Sequence, residues 1–331
     1  MRLSDAIGER NAAFWRSIED RRILTTGGRF VFHWKNVLAA TDFSPLGDAA
    51  VATGTSIAQA GGGTLSVIYV ADPPPPFSQP LLDRIGPADP DELWTRQPRR
   101  SVAALLGRLR AEHLEARGFV RVGTPWREIV GLSQELGADG IVVGSVGHSA
   151  LERLLLGSTA EGVVRNASCP VLVVRRGPLG QVRRVLLPVD MDEGSRTSVR
   201  YALRKLPKDL ELEAVHAIAF PRMIDPELAN VLPDEAESSR RLRAFLDDLG
   251  GKRIASRVVL GEPATGILAA AGDADLVVIA TRGRKGLARA LLGSVAEKVV
   301  RHADAPVLVL PGPRSRARKK AGPAVEGEVT P

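Results

Sequence analysis

The sequence predicts an α/β protein of two tandem domains, each built on an open five-stranded parallel sheet. Hydrophobic residues make up 44% of the 331 residues but aromatic residues only 4%. The apolar content comes from Leu, Val, Ile and Ala, as expected of helices packed on parallel sheets. Short apolar runs rich in β-branched residues alternate with helical stretches, which is typical of βαβ units. The same ordered series of runs occurs twice.

Each copy of the series contains five predicted strands alternating with four helices, which implies right-handed crossovers. The first strand of each copy ends in an aspartate, Asp42 or Asp190, and helices follow near residues 47–60 and 194–205. In the first copy the other predicted strands are 64–70, a strand that ends at 122, and the runs 138–144 and 170–174. In the second copy they are 212–217, a strand that ends at 260, and the runs 274–280 and 306–310.

The two copies differ in length between their second and third strands. The separation of matching positions is 148 residues at the two aspartates but 136 between Gly147 and Gly283. The first copy carries a proline-rich segment at 71–98, which predicts a loop or lid rather than core. The predicted divisions are an N-terminal extension at 1–34, domains at 35–176 and 182–311, and a basic flexible tail at 312–331.

The composition of the chain limits which partners and which cellular compartment are expected for the protein. The net charge of +7 invites a nucleic-acid interpretation, but five basic residues lie at 314–320 and no zinc-finger spacing or RNA-binding aromatic motif accompanies them. A solvated tail is favoured, and no specific nucleic acid is predicted. The single cysteine, Cys169, excludes an internal disulfide. No apolar run reaches the roughly 18 residues that a membrane span needs. Charged residues near the N-terminus occupy the place where a signal peptide would have its apolar core. A cytoplasmic protein is expected.

A glycine-rich stretch in each copy is the candidate ligand site. In the first copy, Gly144 and Gly147 follow a predicted strand, and the run 157–159 (Gly-Ser-Thr) opens a helix. Open α/β sheets place ligands at the carboxyl ends of their strands, and helix N-terminal amides bind phosphate. The stretch therefore predicts a phosphate-binding loop. Two alternatives remain: the glycines form a tight turn without a ligand, or the two hydroxyl residues only cap the helix.

These motifs, in order and in both copies, resemble the universal stress protein family. The matching features are the strand-end aspartate in Thr41-Asp42-Phe43-Ser44, the Gly-x-x-Gly-nine-Gly-Ser spacing, the closing run Cys169-Pro170-Val171-Leu172-Val173-Val174, and the second-copy runs 283–289 and 293–303. The resemblance covers nearly all of 35–311 and implies Rossmann-like domains. Family members often pair through the last strand. This implies an intramolecular pseudo-dimer joined through 171–174 and 307–310, with homo-oligomers as a further option.

The resemblance to family members that bind ATP implies a nucleotide site, with Mg²⁺ accompanying the phosphates. Asp42 would lie at the adenosine end and Val70 at the base, although a helix N-cap or turn role is the alternative for Asp42. The residues implied around the phosphates are Gly144, Gly147, Gly157, Ser158 and Thr159. The implied second site comprises Asp190, Ala217, Gly283, Arg284, Gly293 and Ser294.

The second copy departs from the family pattern at Ala280, which stands where the first glycine is expected. A left-handed backbone at that position would cost Ala roughly 1–2 kcal/mol, whereas with negative φ only the methyl group matters. Ala217 also replaces the larger Val70. Binding at the second site is therefore left open.

The resemblance implies a regulatory or stress-tolerance protein that binds ATP and is not an enzyme. The alternative is a nucleotide-independent scaffold or partner-binding protein. An enzyme is less favoured, because residues 41–45 lack the Ser-Gly-Gly-x-Asp-Ser loop of ATP pyrophosphatases and the chain has no His-x-Gly-His motif or legible metal cluster. Weak ATP hydrolysis or autophosphorylation stays as the last option.

Overall fold

The computed structural model describes residues 32–72, 90–146, 156–218, 235–281, 293–312 and 327–329, with side chains in the helix at 90–94 not described. The described residues form two compact units. The first comprises the described parts of 32–146, 157–178 and 327–329. The second comprises Leu156 and the described parts of 179–312. The predicted α/β class is confirmed.

The first unit is a parallel sheet of five strands in the order β3-β2-β1-β4-β5. Its elements are β1 Asn36–Ala40, α1 Pro45–Gly61, β2 Thr64–Ala71, α2 Pro90–Ala111, β3 Ala116–Val122, α3 Pro125–Glu135, β4 Gly140–Gly144, α4 Ser158–Asn166 and β5 Val171–Val174. The chain moves outward from β1 to β3 and then returns to the other side of β1. This reversal between β1 and β4 opens a crevice at their carboxyl ends.

The second unit repeats the same order as β8-β7-β6-β9-β10. Its elements are β6 Arg184–Pro188, α5 Glu193–Lys205, β7 Glu211–Ile218, α6 Glu235–Asp248, β8 Ala255–Leu260, α7 Pro263–Ala271, β9 Leu276–Ala280, α8 Ser294–His302 and β10 Val307–Leu310. Its β6 pairs in parallel with β7 and β9. The described part of each unit therefore contains the predicted five strands and four helices.

Strands of the first sheet are apolar along their length because both faces of the sheet are covered. Residues 37–39 of β1 and 171–174 of β5 are all at most 1% exposed. Helices contribute one apolar face each, as α4 does with Ala160, Val163 and Val164. This burial is the pattern of a parallel sheet between helical layers.

A repeated aspartate positions the first strand of each unit. Asp139 precedes β4, and its Oδ2 accepts hydrogen bonds from the amides of Lys35 and Asn36 at 2.8 and 2.9 Å. Asp275 precedes β9 and accepts from the amides of residues 183–184 at 2.8 Å each. Both aspartates belong to the predicted strand repeat, but the sequence analysis assigned them no role.

The sequence predicts a loop at 71–98, and this prediction is wrong for the part that helix α2 occupies. The helix begins at Pro90 and includes Pro98, so residues 90–98 are helical. Pro98 removes one helix hydrogen bond, but the apolar stripe of Val102, Leu106 and Leu109 is fully buried. That burial offsets the cost of the proline, because packing contributes more to helix stability than propensity does. Residues 73–89 lie outside the described part of the chain.

Two aromatic residues of the predicted N-terminal extension belong to the core of the first unit. Phe32 and Trp34 are 1% and 5% exposed, and their rings stack with centroids 4.9 Å apart. The Trp34 ring covers Gly140, where a Cβ would lie 2.4 Å from it. The rest of the extension, residues 1–31, lies outside the described residues.

Three residues of the predicted tail, 327–329, lie antiparallel to the edge strand β3. Glu328 forms a bridge with Phe119. The guanidinium of Arg117 holds the Glu328 carboxylate through two hydrogen bonds of 2.9 Å. Backbone bonds from Val120 N–H to Gly327 O at 2.9 Å and from Val329 N–H to Gly118 O at 2.8 Å complete the pairing. This segment covers part of an otherwise open sheet edge, and residues 313–326 are not described.

Candidate functional site

A cavity of about 610 Å³ opens at the carboxyl ends of β1, β2 and β4. It occupies the point where the strand order reverses, which is where open α/β sheets bind ligands. Helix α3 contributes Trp126 and Ile129 to its wall, which the sequence analysis missed because no motif marks them. The predicted residues that line it are Asp42, Val70, Gly144, Gly157, Ser158 and Thr159. Gly147 lies outside the described residues.

Gly144, at the end of β4, is required by close packing and not by an unusual backbone. It is not among the residues with positive φ. A Cβ at this position would lie 2.9 Å from the carbonyl carbon and oxygen of Leu46. The glycine therefore lets the start of α1 approach the cavity floor.

Asp42 shapes the turn between β1 and α1. Its Oδ1 accepts the amide hydrogen of Ser44 at 3.0 Å, and Phe43 between them takes a φ of 58°. Ser44 is the N-cap of α1 and accepts the amide of Gly47 at 3.1 Å. The N-cap alternative for Asp42 is therefore wrong, whereas its turn role is present alongside its place in the cavity wall.

The N-terminus of α4 presents hydrogen-bond donors to the cavity. Its N-cap is Gly157, which makes no side-chain cap bond and whose own amide donates to Ser145 O at 2.7 Å. The amides of a helix's first turn have no acceptor within the helix. Those of Ser158 and Thr159, with the positive end of the helix dipole, suit an anion. The alternative that these two hydroxyls cap the helix is not what the structure shows.

Tyr69, which lines the cavity, belongs to an aromatic pair. Tyr69 in β2 stacks on Phe43, with ring centroids 5.6 Å apart. Burial, and then the charge of Asp42, raise the pKa of the Tyr69 phenol above its ordinary value of 10.0. The phenol stays protonated at neutral pH and can donate a hydrogen bond.

The second unit has a cavity of about 270 Å³ in the matching position. Several side chains differ from their counterparts in the first cavity, among them Ser195 in place of Gly47, Val295 in place of Thr159 and His216 in place of Tyr69. The predicted residues that line the cavity are Asp190, Ala217, Gly293 and Ser294. Gly283 and Arg284 lie outside the described residues.

Ala280 lines this second cavity without backbone strain. Its φ is not positive, so the left-handed cost considered from the sequence does not arise. The residue that corresponds to Leu46 is Gly194, whose missing Cβ removes one of the three contacts that a Cβ at the Gly144 position makes in the first domain.

Neither a cluster of metal ligands nor a membrane-spanning helix occurs in the described part of the chain. Within the described residues, no group of three or more His, Cys, Asp or Glu side chains is arranged to hold a metal ion. Asp42 and Asp72 are the carboxylates of the first cavity's lining. No helix in the described ranges combines the length and apolar character that crossing a bilayer requires.

Sequence comparison identifies the family of both units. The profile of the universal stress protein family matches residues 33–175 and 181–311. The chain belongs to this family. A universal stress protein of Mycobacterium tuberculosis is 30% identical over 294 residues, covering 82% of this chain and 96% of the relative. One of Mycobacterium bovis matches with the same values.

Solved structures show the same fold. A universal stress protein from Archaeoglobus fulgidus superposes with a TM-score of 0.59 at 21% identity, covering 85% of this chain and 98% of that one. One from Pseudomonas aeruginosa gives 0.57 at 19% identity, with coverage of 84% and 93%. The predicted Rossmann-like architecture of this universal stress protein is therefore confirmed.

Proposed function

We propose that this universal stress protein binds ATP in the cavity of its first domain and acts as a regulatory or stress-tolerance protein without a catalytic role. One observation carries the proposal. Residues from three separate motifs, including Asp42, Val70 and the Gly157–Thr159 run, line one cavity at the switch point of the sheet. Motifs spread over more than a hundred positions of the sequence supply complementary parts of a nucleotide site.

Each part of the cavity suits one part of the nucleotide. The Asp42 carboxylate accepts hydrogen bonds from ribose hydroxyls, and Val70 packs against the base. The phosphates bind at the N-terminus of α4, where backbone amides and the hydroxyls of Ser158 and Thr159 donate to their oxygens. Because Gly144 has no side chain, the floor of the cavity leaves room for the phosphates to reach these donors. This arrangement needs no lysine of the Walker type.

Calorimetric titration of the purified protein with Mg·ATP tests the proposal, with stoichiometry as the first readout. We expect one ATP per chain, bound in the first domain. Absence of binding would contradict the proposal and favour the scaffold function. Circular dichroism of the same sample would show that the protein used was folded.

Two matched glycine variants locate the site. Gly147→Val is expected to remove most ATP binding, because a branched side chain in the predicted phosphate loop blocks backbone approach. Gly283→Val, the same change in the second domain, is expected to have less effect. Equal losses from the two variants would contradict a site confined to the first domain.

A further inference from the structure

The strand-end aspartates of the two domains have the same backbone setting. Asp42 and Asp190 each accept the amide hydrogen of the residue two positions on, at 3.0 and 3.2 Å. Each precedes a residue with positive φ, 58° at Phe43 and 62° at Met191. A difference in ligand binding at these aspartates therefore comes from the side chains around the turn.

The side chains diverge in the first turn of the following helix. A Cβ on Gly47 would lie 2.7 Å from Oδ1 of Asp42 and 2.9 Å from Oγ1 of Thr41. Gly47 places no hydroxyl against the Asp42 carboxylate, and both residues line the first cavity. The matching position in the second domain, 148 residues later, is Ser195.

Ser195 bonds to the second aspartate in both directions. Its hydroxyl donates to Oδ1 of Asp190 at 2.7 Å and accepts the Asp190 amide hydrogen at 2.9 Å. The residue is 6% exposed, so water competes little for these bonds. The hydroxyl thus uses an acceptor site on Asp190 that a ribose hydroxyl would require.

We propose that the residue at this position, Gly47 or Ser195, decides whether the strand-end aspartate binds a nucleoside hydroxyl, and that Ser195 closes the second cavity to ATP. The proposal rests on the proposed function of the first cavity. It makes residue 47 a specificity-determining position and assigns the asymmetry between the domains to Ser195 instead of Ala280.

The charge around Asp190 also disfavours ATP binding in the second cavity. The N-cap is Ser44 in the first domain but Asp192 in the second, where it accepts the Ser195 amide at 2.8 Å. Burial, and then the hydrogen bond with Asp190, raise the pKa of Asp192 above its ordinary value of 3.8. Two carboxylates share this end of the cavity and repel each other, and the Ser195 hydroxyl donates to one of them. A polyphosphate would add further negative charge to the same cavity.

Reciprocal substitution tests the proposal on the full-length protein by titration with Mg·ATP. Gly47→Ser is expected to weaken ATP binding at least tenfold, as the loss of a hydrogen bond to a charged group does. Gly107→Ser is the matched control, since Gly107 is exposed on α2 and a Cβ there meets nothing within 4 Å. It should bind as the wild type does. Ser195 shows that the second domain accommodates a serine in this turn, whereas at position 47 the side chains of Asp42 and Thr41 must shift to admit its Cβ. Unfolding midpoints check that each variant is folded.

The converse variant is Ser195→Gly combined with Val295→Thr, which gives these two positions of the second cavity the residues of the first. We expect its stoichiometry to rise from one ATP per chain to two. Wild-type affinity in Gly47→Ser, a stoichiometry of two in the wild type, or one ATP per chain in the double variant would each overturn this proposal and leave ATP binding in the first domain standing. No binding by the wild type would overturn the proposed function, and this proposal with it.

Discussion

Thr159 and Val295 stand at the same position in the first turns of α4 and α8, and they differ by a hydroxyl and a methyl group of similar size. Thr159 lines the first cavity at the end where we propose that the phosphates bind. The substitution Thr159→Val therefore removes one donor without leaving a void. We expect ATP affinity to fall about tenfold, the effect of losing one hydrogen bond to a charged group. Titration measures this, with an unchanged unfolding midpoint as the control; unchanged affinity would place the phosphates elsewhere.

Cys169 shows how burial governs the chemistry of a single side chain. Burial raises the pKa of its thiol from 9.0 to about 11, although a hydrogen bond with Ser133 partly opposes this. Only about one molecule in 10⁴ carries the reactive thiolate at pH 7. We expect alkylation of the native protein to be far slower than that of the urea-unfolded chain at the same pH. Comparable rates in the two states would contradict the raised pKa of the thiol.

At the scale of secondary-structure elements, a single carboxylate aligns the first strand of each sheet. Asp275 accepts two successive amides at the start of β6. Asp275→Ala leaves both amides without this acceptor, and we expect the free energy of unfolding to fall by roughly 1 kcal/mol, because the site is exposed. Asp273→Ala, a change at an exposed aspartate two residues away, is the control. Denaturant unfolding of both variants measures the difference, and equal losses would contradict a role specific to Asp275.

The C-terminal segment and β3 form a second testable element. Removing residues 327–331 takes away the carbonyl of Gly327 that accepts the Val120 amide. We expect hydrogen exchange at Val120 to accelerate, while exchange in the central strand β1 stays unchanged. Unchanged exchange at Val120 would show that the segment does not cover this edge in solution.

The same contact predicts a pH dependence with a definite sign. The hydrogen bonds from Arg117, partly offset by burial, lower the pKa of Glu328 below its ordinary value of 4.5. The stability that this pair contributes is therefore present above pH 4.5 and is lost as the pH falls through the lower pKa of the folded state. Faster exchange of the Val120 amide below pH 4.5, after correction for the intrinsic rate, would show the loss. Glu328→Gln should abolish this additional pH dependence.

At the scale of the whole molecule, the duplication produces two units with the same strand order but different cavities. The expected pairing of residues 171–174 with 307–310 inside one chain stays a prediction. If both strand edges are covered in this way, sedimentation should show one species near the chain mass of 35.3 kDa over a wide concentration range. A dimer that forms with increasing concentration would contradict pairing confined to one chain.

The local sequence pattern determined the strands of this protein and the position of its candidate site. The apolar runs predicted the strands to within a few residues, as with Asn36–Ala40 and Leu276–Ala280, because a parallel strand buried on both faces must be apolar throughout. The spacing from Gly144 to Ser158 placed the candidate site at the end of β4. Glycines and hydroxyl residues marked it because close approach and helix-end donors require those residue types.

Only the tertiary structure decided features that depend on distant residues. Pro98 reads locally as a helix breaker, but the buried stripe of α2 offsets its cost. The requirement for Gly144 comes from Leu46, nearly a hundred positions earlier, and the anchoring role of Asp139 comes from amides at the start of β1. The difference between Gly47 and Ser195 matters because each lies next to the carboxylate of its strand-end aspartate. Sequence pattern reports which surfaces a segment must bury, whereas the fold decides which groups meet across them.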